Sequence, residues 1–158
     1  MFAELTELQR SIVMRLRQVV DCLDGLSEAQ LNFTPNFPGA NSPYVLAAHT
    51  LGNARAWVLG IACGREVGRD RPGEFRATGS DAAALRERLA HLEAEMAEAI
   101  EALTPADLDR HFVPGKELWG ENEPRDISVR SALVQVVEHA SLHLGHLHLT
   151  RDLALAGA

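Results

Sequence analysis

Aromatic residues are scarce in this chain, at 5% of 158 positions, and that scarcity argues against a sheet-rich fold. Strands favour aromatic and β-branched side chains, whereas the abundant Ala and Leu lose little on entering a helix. Cysteine is nearly absent too, with Cys22 and Cys63 far apart and in no CxxC arrangement. A disulfide framework is therefore excluded, and both read as free thiols in apolar, helix-like surroundings. No apolar run approaches the ~18 residues of a membrane span, and the N-terminus is charged and amphipathic rather than a signal peptide. These absences lead to the expectation of a cytoplasmic protein in a reducing compartment, with no membrane partner.

Positive charge is also in short supply. The net charge is −7, which repels polyanions, and no Lys/Arg cluster is dense enough to reverse it, so no nucleic-acid partner is expected. The one basic stretch, Arg65 to Arg76, also carries Glu66, Asp70 and Glu74 and reads as a solvated mixed loop. There is no Gly-rich phosphate loop, no G-x-S-x-G elbow and no Cys/His nucleophile arrangement.

What is present is helical periodicity. With 46% apolar residues, a chain of this length buries enough surface to fold without disulfide or metal. Leu5, Leu8, Ile12, Leu16, Val19 and Leu23 recur at helical spacing and predict a first helix over 2–24, stopped at Gly25. Ser27 and Gln30 form a capping-box pattern. Ser42 as N-cap and Pro43 at the first helical position open a second helix that ends about Gly64. Residues 64–79 then form a long connection. Ser80 or Asp81 caps a third helix to about Leu103, with Leu85, Leu89, Leu92, Met96 and Ile100 as its apolar stripe. Thr104–Pro105 starts a short turn, and 109–126, with Pro114, Gly115, Gly120 and Pro124, reads as an irregular loop. A fourth helix begins after Ser128, which can cap it, and runs to about Leu153. The fold expected is an all-α four-helix bundle of up-down type with long connections, a single domain over 1–158.

The fourth helix carries the unusual chemistry. Its inward stripe is Val129, Ala132, Val136, His139, His143 and Leu147, so two imidazoles replace aliphatics in a core-facing row. Side chains four apart share a helix face, and one ion can accept a nitrogen from each. Two adjacent core imidazoles need hydrogen-bond partners and cannot both be charged; a shared cation removes that difficulty, and satisfied core histidines are the alternative. His49, in the apolar turn Leu46-Ala47-Ala48-His49-Thr50 of the second helix, supplies a third imidazole. Three nitrogens from two helices make an open site suited to zinc, nickel, iron or copper rather than magnesium or calcium. Glu138 points about a quarter-turn away from His139 and reads as a surface carboxylate. Asn53, Trp57, Tyr44 and Trp119 are read as structural before pocket-lining, and His91, His111 and His148 as exposed.

The stretch LNFTPNFPGANSPYVLAAHTLGNARAW together with VRSALVQVVEHASLHLGHLHLTRD resembles the DinB-like (DinB/YfiT) superfamily of metal-dependent enzymes. In that family a second-helix histidine joins a His-x3-His pair in the last helix; here these positions match His49, His139 and His143, with Pro38, Gly39, Asn41 and Ser42 as the preceding turn. His146 stands where Gln is common, and its role is left open between hydrogen bonding near the site, solvent and a partner subunit. The resemblance implies one divalent transition metal, zinc or nickel first, and a thiol-dependent S-transferase or a hydrolase acting on a small-molecule substrate. It also implies a low-molecular-weight thiol as a second cofactor. A non-catalytic metal-binding or stress-response protein is the other functional expectation. No general base stands out, and pairing of two copies into a homodimer is expected.

Overall fold

Four long helical segments dominate the computed structural model, which describes residues 1–119 and 122–157. The first, α1 (Ala3–Asp21), buries Leu5, Ile12, Leu16 and Val19 of its predicted stripe, while Leu8 is half-buried and Leu23 is buried just past its end. After it, α2 (Glu28–Leu31) is one short turn closed by the Ser27–Gln30 capping box. The second long segment begins as α3 (Pro43–Arg55), with the Ser42 side chain accepting from the Val45 N–H.

That segment does not stay α-helical to its end. From Ala56 to Ala62 it becomes a π-helix, and the Cys63 N–H reaches back to the Val58 carbonyl at 2.9 Å. The widened turn is invisible to a reading based on 3.6-residue periodicity, and such segments concentrate at functional sites. Gly64, at φ +67°, adopts the left-handed conformation that ends the run.

Within the connection lies an unanticipated turn, α4 (Arg71–Glu74), held by the Asp70 carboxylate accepting from the Gly73 N–H. The third long helix, α5 (Ala83–Glu101), starts slightly later than expected. Its first N–H, that of Ala83, is taken by Asp81, while Ser80 plays no capping part. The Thr104 turn is α6 (Pro105–Leu108), a capping box with Asp107.

The stretch 109–126, expected to be irregular, contains a short strand, β1 (His111–Phe112), and a 3-10 turn at Lys116–Leu118; β1 pairs antiparallel with β2 (Ile127–Ser128), which lies just past it. Gly120 lies outside the described residues. The ladder delivers the chain directly into α7 (Val129–Gly157), four residues longer than read from sequence. Ser128 Oγ accepts from the Ser131 N–H at its start, as expected.

The described residues are mostly helical and form one compact domain. α7 packs against α1, α3 and the π-helical segment, while α1 and α3 also contact α5. Leu16, Leu51, Trp57, Met96, Ala132 and Leu147 are fully enclosed in the shared core, each large apolar side chain contributing about 1.5–3 kcal/mol by its removal from water. Among the described residues, no helix is long and apolar enough to cross a membrane. Asn53, Tyr44, Trp57 and Trp119 are all buried, with the Trp57 and Trp119 rings edge-on at 5.5 Å. His91, His111, His148 and Glu138 are exposed; Cys22 is buried, Cys63 half-buried, and both are free.

Candidate metal centre

α3 is buried on every side from Pro43 to Ala54, because α5 and α7 cover it and the 64–79 connection folds back over it through α4. His49 lies at its middle and is 6% exposed. Facing it, α7 presents His139 and His143 one turn apart. The structure brings these three together: one nitrogen of each lies within 4.8 Å of the others. Ring centroids are 5.1 Å apart for His49–His139 and His49–His143, and 4.3 Å for His139–His143.

The Nε2 atoms of His139 and His143 approach to 3.2 Å. Two imidazole nitrogens bound to one tetrahedral zinc at about 2.0–2.1 Å stand about 3.3 Å apart, so the pair fits a shared ion. The Nδ1 atoms of the same two rings are buried and have no hydrogen-bond partner. A hydrogen bond between the Nε2 atoms would use only one lone pair, whereas a shared cation uses both. The donor set is three imidazole nitrogens, which suits a transition ion.

Electrostatics keep those lone pairs free of protons. Burial is the main cause that pushes His139 down to about 2, reinforced by the neighbouring imidazoles and by Arg69 and Arg71. Burial likewise pushes His143 down to about 4, with His49 and His146 adding to it. Both rings are therefore neutral at pH 7, the form that binds a metal.

Sequence reasoning missed one central residue, Glu74. Its carboxylate, at the end of α4, accepts from His49 Nδ1 at 2.9 Å, with both side chains less than a tenth exposed. Arg69 donates to both oxygens of the same carboxylate, each at 2.9 Å. Burial alone would raise the Glu74 carboxyl; hydrogen bonds from His49 and Arg69 and the Arg69 charge outweigh it and hold the group below its ordinary value. An ionised Glu74 accepting from Nδ1–H leaves Nε2 as the His49 atom available to an ion, the carboxylate–histidine arrangement that orients a metal ligand. Gly52 makes it feasible, since a Cβ there would overlap the Glu74 carboxylate. The only sequence signal was a carboxylate inside a mixed-charge connection, indistinguishable there from the exposed Glu66.

Phe75, next in the chain, lays its ring 4.7 Å from that of His49, and the Arg71 guanidinium sits over the Phe75 ring at 4.9 Å. His146 is exposed, its ring 5.6 Å from that of His143. It lines an apolar groove of about 530 Å³ with Phe37, Leu46, Leu149 and Leu153.

The sequence model of the DinB superfamily matches residues 10–147, which include all three histidines and Glu74. No curated protein matches the chain. The crystal structure of a conserved protein from Enterococcus faecalis superimposes with a TM-score of 0.71 over 99% of each chain, at 16% identity. That likeness concerns the fold alone.

Proposed function

This chain belongs to the DinB superfamily, and from that premise we propose that it is a divalent-metal-binding protein whose ligands are His49, His139 and His143. We further propose a metal-dependent enzyme of the thiol-dependent S-transferase or hydrolase type. The observation that carries the reading is the convergence of three imidazoles, two with Nε2 atoms 3.2 Å apart and the third oriented by a buried carboxylate. Zinc or nickel is the ion these donors suit first. An open three-nitrogen site gives a bound ion room to lower the pKa of a water or thiol and so supply a nucleophile near pH 7.

The chain's own residues hold and orient. α7 fixes two rings on one face; Glu74 holds the His49 tautomer; Phe75 shields His49 from water. The groove beside His146 supplies an apolar surface for a small substrate. The four long helices are taken as an up-down bundle with its metal site between facing helices, a placement such bundles favour. One observation favours non-catalytic metal binding instead. Glu74, the carboxylate at the centre, is already engaged by His49 and Arg69, which leaves it poorly placed to act as a base.

The test is turnover. Zinc- and nickel-loaded protein is incubated with glutathione or cysteine and a soft electrophile, and separately with an ester panel. Metal-dependent thiol consumption that His143→Ala lacks supports the transferase, and thiol-independent ester cleavage supports the hydrolase. Stoichiometric metal with neither activity supports the non-catalytic reading.

A further inference from the structure

Behind Glu74 lies a second cavity, of about 300 Å³, that none of the three histidines lines. Much of its wall is small, formed by Ala48, Gly52, Gly68 and Gly73, and into it come three guanidinium groups, Arg55, Arg69 and Arg88. Among the described residues two acids share the lining, and both are engaged. Glu74 accepts from His49 and from both arms of Arg69, while Asp70 caps the Gly73 N–H.

Arg55 donates to Glu95, outside this wall, and to the Gly68 carbonyl, within it, each at 3.4 Å. Arg88, from α5, makes no ion pair or side-chain hydrogen bond to any described residue and is half-buried. Burial pushes its pKa below the ordinary value. A separate groove is lined by Glu87 and Glu95 together with Arg55 and Arg88, and neither acid bonds to Arg88. The forked donors of a half-buried guanidinium with no protein acceptor match the planar or tetrahedral oxygens of an anion.

We propose that Arg88, with Arg55 and Arg69, forms a binding site for the oxyanion head of a small molecule, a phosphate or a carboxylate, separate from the three-histidine centre. Arg88 contributes the free fork, Arg55 a second donor face, and Arg69 the link to Glu74. The small wall residues leave room for the head group. The site stands without the metal reading, since none of the three histidines lines the cavity.

The experiment is calorimetric titration of the protein as purified, at low ionic strength, with inorganic phosphate in one arm and acetate in the other. Metal content and far-UV circular dichroism are measured on the same samples. Saturable binding of one anion is expected, weakened at least about tenfold in Arg88→Gln and retained in Arg65→Gln, whose side chain pairs with Glu98 outside this cavity. The arm that saturates at lower concentration identifies the head group. Should Arg88→Gln not fold, Arg55→Gln carries the same expectation. Absence of saturable binding in both arms, or equal binding in the parent and a folded Arg88 or Arg55 variant, would overturn the proposal.

Discussion

Replacing Glu74 by alanine is expected to weaken zinc binding by about 10- to 100-fold, although the residue touches no ion. The Glu74 carboxylate fixes His49 by the 2.9 Å bond to Nδ1; without it the ring rotates and either tautomer becomes accessible. The same change strands Arg69, whose side chain is 11% exposed. Removing one partner from a buried ion pair costs about 3–5 kcal/mol, so the variant should also melt markedly earlier. Glu74→Gln separates the two effects, because the amide keeps the shape and loses the charge. Gly52→Ala should reproduce the affinity loss from the opposite side, its new methyl displacing the carboxylate from α3. Affinity is read by competition with a chromophoric chelator and stability by thermal melting. Unchanged affinity in Glu74→Ala would show that His49 needs no orienting partner.

Stripping the ion should lower the melting temperature by several degrees. A ligand that binds only the folded state stabilises it by about 2.7 kcal/mol at one hundred times its dissociation constant. For a chain of this size each kcal/mol moves the midpoint by about 2–4 °C, so zinc saturation should raise it by roughly 5–11 °C. His143→Ala, which removes one of the two close Nε2 donors, should melt at a temperature that zinc leaves unmoved. If the three rings were core histidines satisfied by one another, chelator would leave the parent's midpoint unmoved as well.

How far the sequence reaches can be judged from particular residues. His49, His139 and His143 were legible because imidazoles interrupt rows that helical spacing makes apolar, and such interruptions need a reason. The helix starts at Ser42–Pro43 and Ser128 were legible because capping is local chemistry, resolved within three residues. Asp81 illustrates the limit of that locality: its carboxylate does take the Ala83 N–H, but from outside the usual cap position. The π-helical segment was hidden because residues 56–62 are apolar on every side, so no change of period marks the widening. The β1–β2 pairing was hidden because two-residue strands carry no alternation to detect. Glu74 was hidden for a different reason. Its role depends on a fold-back of the 64–79 connection onto α3 over the gap at Gly52, a long-range contact that no local pattern encodes.

The central claim is that these three histidines hold one ion, and metal content tests it most directly. Elemental analysis of purified, untagged protein is made beside His139→Ala and His143→Ala, before and after exposure to zinc or nickel. The account predicts about one equivalent of a divalent transition metal per chain, absent from both variants. A parent that is metal-free and takes up neither added ion would contradict it.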